Sequence, residues 1–192
     1  FVGLWRNADT SIDDVTNDRV YIAPSFRWRP NDQVDLTVLG SYMYDDAGSS
    51  AQFLPRSGTL DHSAYGRIPI SRNTGEPNFD RFTRNQMTAG YLLSVRPAED
   101  WLIRSSFRYM YYQIDYRSIY PYVLTGNTSG RIAYRAEPIT NAVTFDNNVE
   151  YRAMTGPVEH TLLGGVDYRW QLVQNRAGSA VGPSIKIGRA HV

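Results

Sequence analysis

Apolar and polar residues alternate along most of this chain with a period of two. From Val34 to Tyr44, the residues Val34, Leu36, Val38, Gly40, Tyr42 and Tyr44 share one face, while Asp35, Thr37, Leu39, Ser41 and Met43 share the other. That spacing predicts a β-strand with two unlike sides. The same alternation predicts strands over Val20–Trp28, Met87–Val95, Trp101–Tyr111, Val143–Ala153 and Leu162–Leu172. Three short polar turns separate them pairwise: Arg29-Pro30-Asn31-Asp32, Arg96-Pro97-Ala98-Glu99-Asp100 and Thr155-Gly156-Pro157-Val158-Glu159. Each is flanked by alternating strands, so each predicts a hairpin. Pro24 lacks the N–H that a ladder uses, which predicts a bulge or a local break there.

Between the hairpins lie segments of very different length, so the chain runs tight turn, long loop, tight turn, long loop. With strands of roughly 10 to 14 residues, this is the layout of an antiparallel transmembrane β-barrel, with short periplasmic turns and long extracellular loops. The outer loops are expected at Asn7 to Asp18, about Asp45 to Arg81, about Ser118 to Thr140, and after Gln174. Trp28 and Trp101 sit beside tight turns, and Tyr42, Tyr44, Tyr109, Tyr111, Tyr168 and Trp170 lie near the far ends of their strands, which predicts two interfacial aromatic belts. About seven strands cannot close a barrel wide enough for such loops, so the chain is expected to be a barrel fragment. Residues 1–186 are assigned to that barrel. Ile187-Gly188-Arg189-Ala190-His191-Val192 matches one reading frame of a common sequencing adapter, and residues 187–192 are expected to be non-native. Phe1–Arg6 already reads as a strand, so the chain is expected to start within a longer protein.

Composition changes this picture little. The chain has 192 residues, a formal charge of +1 and no cysteine, with 14 tyrosines and 4 tryptophans. Near-neutral charge argues against nucleic acid, and the missing thiols exclude disulfides and thiolate metal sites. His62, His160 and His191 have no partner at ligand spacing, and no nucleophile elbow or phosphate loop occurs. The expectation is a protein that is not an enzyme, with no catalytic or metal-ligating residue and no resident cofactor. Asp45-Asp46 reads as a solvated strand end rather than a cation site, and Gly164-Gly165 as part of a strand.

The loops carry more. Gln52–Leu60 and Ser118–Leu124 place aromatic and aliphatic groups beyond the expected apolar band, where they suit either a ligand vestibule or a lid held down by its own rings. Four segments then carry a resemblance. They are Arg19–Asp32, Phe53-Leu54-Pro55-Arg56-Ser57-Gly58-Thr59, Asn78-Phe79-Asp80, and His160–Tyr168. In this order and spacing they resemble TonB-dependent siderophore receptors, nearest the ferric-hydroxamate (ferrichrome) type, over about Arg19 to Leu172.

The resemblance implies a barrel of about 22 strands with a plugged lumen, located in the bacterial outer membrane. It implies binding of a ferric siderophore, with iron as chelated cargo, and uptake energised by the TonB complex through a part absent from this chain. Outer-membrane lipid and lipopolysaccharide would surround it. Tyr120 and Tyr122 match a vestibule-lining Tyr-x-Tyr segment, and Phe53 matches an aromatic preceding Leu-Pro. The chain departs from the type in having Phe53 for tryptophan, Ala51 for a second aromatic, and Thr125 for a loop cysteine. Alternatives are a barrel for another cargo, such as cobalamin or a glycan, and a structural or adhesive barrel.

Overall fold

The computed structural model describes residues 1–49 and 52–187, so Ala51 and the terminal segment from Gly188 lie outside the described residues. All of the described regular structure is β. The strands are β1 (Val2–Arg6), β2 (Asn17–Ala23), β3 (Ser25–Asn31), β4 (Val34–Ala47), β5 (Arg81–Val95), β6 (Trp101–Thr125), β7 (Thr128–Ala136), β8 (Ile139–Thr155), β9 (Val158–Gln174) and β10 (Ala177–Lys186). They form one antiparallel sheet.

Ten strands make seven passes, because three pairs run end to end. β2 and β3 both pair with β4 and are interrupted only at Pro24, whose carbonyl still accepts the Gly40 N–H at 3.0 Å. The expected break is therefore a nick that keeps register. A second proline accounts for the other two interruptions. Pro138 separates β7 from β8, and the β9–β10 junction at Asn175-Arg176 lies across from it, where the ladder has no N–H to use. The bonds Ile114 N–H to Pro138 O (3.0 Å) and Glu137 N–H to Arg176 O (2.8 Å) carry the register through.

The two faces continue across the sheet. Register aligns Phe26, Val38, Tyr91, Phe107, Phe145 and Tyr168 in one row, and Arg27, Thr37, Leu92, Ser106, Asp146 and Asp167 in the row behind it. On the polar side, Arg27 pairs with Asp35, and Arg104 reaches Glu150 at 3.0 Å. Near the tight turns, Trp101 packs on Tyr151 with ring centroids 4.5 Å apart. Large apolar side chains, including Phe26, Leu162, Val166 and Trp170, remain exposed on the other face. A wall with one charged face and one exposed apolar face fits lipid on one side and an aqueous or protein-filled lumen on the other.

The strands outrun the expected 10 to 14 residues: β5 has 15, β8 and β9 have 17 each, and β6 has 25. Two expected loops are corrected by this. Ser118 to Thr140 is mostly the β6–β7 hairpin, because Tyr116–Thr125 pairs with Thr128–Ala136 after Trp101–Gln113 has paired with β8. The stretch after Gln174 is β10, paired with β7. The hairpin turns at Gly126-Asn127, and the β8–β9 hairpin at Gly156-Pro157. In both, glycine holds the first central position with φ near +60° (63° and 59°), the left-handed conformation that primed hairpin turns require there. Of the expected loops Asn7 to Asp18 and about Asp45 to Arg81, the described residues 7–16, 48–49 and 52–80 lie outside the strands, while Asn17-Asp18 open β2, Asp45–Ala47 end β4 and Arg81 begins β5.

Gly90 illustrates how tightly the wall is laced. A Cβ at this position would stand 2.3 Å from the Phe107 carbonyl oxygen and 3.1 Å from the Arg108 Cα, so the backbone itself would have to yield. Gly90→Ala is expected to destabilise the folded barrel by about 1–3 kcal/mol, measured by urea unfolding in lipid. Gly164→Ala, where nothing lies within 4 Å, is the control and is expected to cost far less.

Candidate functional site

Above the β5–β6 pairing, which ends at Arg81 opposite Arg117, β6 keeps β7 on one side and loses its other partner. Loop 48–80 packs against that vacated edge. Asp80 substitutes for a strand there: its carboxylate accepts the Ile119 N–H at 2.7 Å and the Glu76 N–H at 3.0 Å. Burial pushes the Asp80 carboxyl above the usual carboxylate range, against these two N–H bonds and the nearby Arg131 charge, which favour its ionised form. Ser49 Oγ meets Ser118 Oγ at 2.7 Å on the buried side of the same strand.

Farther along the loop, the chain folds back on itself. The Arg56 carbonyl accepts the Leu60 and Asp61 N–H groups, and Ile68, which is buried, donates its N–H to Gly58 O at 2.7 Å. This folded loop delivers Phe53 to the hairpin. The Phe53 ring packs edge-on against Tyr120, with centroids 5.2 Å apart and planes at 66°.

Beside this contact the β6–β7 register shifts. Pro121 pairs with Arg131 and Val123 with Gly130, which leaves Tyr122 as the extra residue of a bulge. A bulge re-aims its side chain, and Gly130 leaves room for it: a Cβ there would come within 3.3 Å of the Tyr122 ring. Ser129 Oγ donates to Val123 O at 3.1 Å and braces the bulge.

Phe53, Pro55, Tyr120, Pro121, Tyr122, Val123, Leu124 and Ser129 line a cleft of about 390 Å³. The sequence-expected residues Phe53, Tyr120 and Tyr122 thus come together, although Phe53 is distant in sequence from the two tyrosines. Phe53 and Tyr122 are exposed, with rings available to a ligand. The described lining is uncharged, so the cleft offers apolar faces and two phenol hydroxyls, the Ser129 hydroxyl being buried and engaged with the Val123 carbonyl. Thr125 ends β6 at the hairpin tip.

Sequence reasoning missed the polar framework behind this cleft. Thr74 is fully buried; its Oγ1 donates to Gln52 O at 2.9 Å and meets Gln52 Oε1 at 2.8 Å, while its N–H donates to Oε1 at 2.6 Å. Arg131 is buried next to it. Asp45 was missed as well: it is not a solvated strand end but is buried on the polar face between Arg19 and Arg84, accepting from both, whereas Asp46 points the other way and is exposed. The period-two pattern separates Asp45 from Asp46, and only the inter-strand register reveals the two arginines.

An open antiparallel wall of long strands, apolar on one face and charged on the other, with tight turns at one rim and a folded aromatic loop at the opposite rim, has the architecture of a segment of an outer-membrane-type β-barrel. No family model matches the chain. It is 26% identical over 168 residues to the ferrioxamine B receptor of Salmonella typhimurium (strain SL1344), covering 87% of this chain and 24% of that protein. It is 24% identical over 186 residues to the ferrichrome outer membrane transporter/phage receptor of Escherichia coli (strain K12), covering 86% of this chain and 25% of that protein. Its fold matches BauA, the ferric preacinetobactin receptor of Acinetobacter baumannii, with a TM-score of 0.70 at 11% identity, over 92% of this chain and 26% of that one. The chain is related to the TonB-dependent siderophore receptors, and it spans about a quarter of the length of these curated relatives.

Proposed function

We propose that this chain forms part of the wall and outward vestibule of a bacterial outer-membrane receptor that binds a ferric siderophore for TonB-energised uptake. The observation that carries this reading is the uncharged cleft in which Phe53, Tyr120 and Tyr122 converge at the long-loop rim. A hydroxamate chelate of iron is neutral or weakly charged and presents apolar linkers, so it suits ring faces and hydroxyls. A strongly anionic catecholate chelate would call for arginine or lysine donors, which the described lining lacks. The names of the relatives support the same cargo class.

Two further partners belong to this reading. The lumenal face, with its Arg27–Asp35 and Arg104–Glu150 pairs, suits a polar domain filling the barrel, through which the TonB complex would act. On the opposite face, beyond the upper tyrosines, Arg81, Arg117 and Arg135 align across three strands, interleaved with Asp115 and Glu137. Arginines at that height suit the phosphates of lipopolysaccharide.

The test is uptake of radioactive iron by cells whose only siderophore receptor is the full-length protein that carries this chain. Ferrioxamine or ferrichrome iron is expected to accumulate and to stop doing so when the proton-motive force is collapsed. Uptake of a catecholate chelate, cobalamin or an oligosaccharide in place of both hydroxamates would overturn the reading.

A further inference from the structure

Phe53 stands in an unfavourable backbone conformation. Its φ is +38°, in the left-handed region that costs a residue with a Cβ appreciable free energy, yet its side chain is 65% exposed. Its own burial therefore does not supply the force that keeps it there, and the edge contact with Tyr120 is a single ring pair. Something adjacent must hold the loop. The residue before it, Gln52, is bonded through both its backbone carbonyl and its side-chain oxygen to Thr74. Thr74 is held in turn: its carbonyl and that of Gly75 accept from Arg131 Nη1, at 3.1 and 2.7 Å.

Arg131 is the hub of this arrangement. Its side chain is 3% exposed, and it also donates through Nε to Pro183 O at 2.6 Å and through Nη2 to the Glu76 carboxylate at 3.2 Å. One guanidinium thus joins β7, β10 and the loop, and three of its four acceptors are backbone carbonyls. A planar fork with five donors can satisfy such a set, whereas an ammonium on a flexible stem cannot. A buried cation bonded mostly to carbonyls gains little by itself for stability, but it fixes the position of every segment it touches.

We infer that Arg131 is a positioning residue that latches loop 52–80 onto the β7–β10 wall and, through Thr74 and Gln52, holds Phe53 against Tyr120 before any ligand arrives. The vestibule is then preformed, and cargo need not supply the cost of ordering it. The functional half of this inference rests on the siderophore reading; the latch itself does not.

The test uses the full-length receptor in outer-membrane vesicles, with Phe53→Cys and Tyr120→Cys introduced together; this chain contributes no other thiol. A short bifunctional thiol reagent reports how often the two positions meet without cargo. Arg131→Met is expected to lower the cross-linking rate about tenfold, the factor that corresponds to releasing a strained residue of this kind. Thr74→Val, which removes both hydroxyl contacts with Gln52 and leaves only the Thr74 N–H bond to Gln52 Oε1, is expected to lower the rate severalfold without touching the barrel. In receptors keeping Phe53 and Tyr120, the same two substitutions are expected to raise the Kd for a ferric hydroxamate while the barrel keeps its heat-modifiable migration on gels. Unchanged cross-linking in Thr74→Val overturns the latch, and this variant decides the matter even where Arg131→Met fails to assemble. A receptor that binds no siderophore at all defeats the functional reading and leaves the thiol result to judge the latch alone.

Discussion

Replacing Tyr120 and Tyr122 together by alanine in the complete receptor is expected to weaken ferric-hydroxamate binding about 100-fold, roughly tenfold for each ring removed from the centre of a desolvated contact. The two substitutions should differ in character. Tyr120 is wedged against Phe53, so its loss also frees that ring and lowers the order of the unliganded cleft. Tyr122 projects from a bulge, so its loss removes contact area with little effect on its neighbours. Tyrosine-to-phenylalanine replacements separate ring from hydroxyl: if apolar faces dominate, Tyr120→Phe with Tyr122→Phe retains most of the affinity. Equilibrium titration of purified receptor with ferric ferrioxamine or ferrichrome measures all of these. Wild-type affinity in the double alanine variant would remove both tyrosines from the site.

Much of the wall was legible in the sequence because a period of two is a strong constraint. Once Val34 to Tyr44 is divided into two faces, the tight turns at Asp32, Ala98 and Gly156 carry the division from strand to strand, and the register of the structure preserves it. The height of the wall was less legible. Expected strand length comes from the thickness of a bilayer, but β6 and β7 continue well past it as a hairpin, since two strands that pair with each other need no lipid to define their ends. The signal was present in Ile119, Tyr120, Val123, Ile132 and Tyr134 around Gly126-Asn127.

The cleft was half legible. Aromatic rings outside the apolar band drew attention to Phe53, Tyr120 and Tyr122, and the structure brings them together. What positions them was not legible, because Arg131 meets Thr74, Gly75, Glu76 and Pro183 across large sequence separations, and hydrogen bonds between irregular segments leave no periodic trace. The alternative of a lid held down by its own aromatics is answered in part: the loop does place one ring on another, yet it is secured mainly by buried polar groups, with Asp80 on one flank and Arg131 on the other.

Asp45 is expected to be the most costly single charge to remove from the wall. Its carboxylate, 4% exposed, accepts from Arg19 on β2 and Arg84 on β5, the Arg84 Nε bond measuring 2.8 Å, so one anion joins three neighbouring strands. Asp45→Asn keeps the shape but leaves two guanidinium groups facing each other in partly buried positions. Stranding buried charge in this way costs about 3–5 kcal/mol, several times the value of an exposed pair. Asp35 supplies the comparison, because it too is bonded by an arginine, Arg27, but that arginine is exposed and Asp35 itself is only partly buried. Asp35→Asn is therefore expected to cost less than about 1 kcal/mol. Urea unfolding of the complete receptor in lipid, followed by tryptophan fluorescence, measures the difference. Equal losses for the two variants would show that water reaches Asp45 as freely as Asp35, and the buried three-strand junction would then not exist in the membrane.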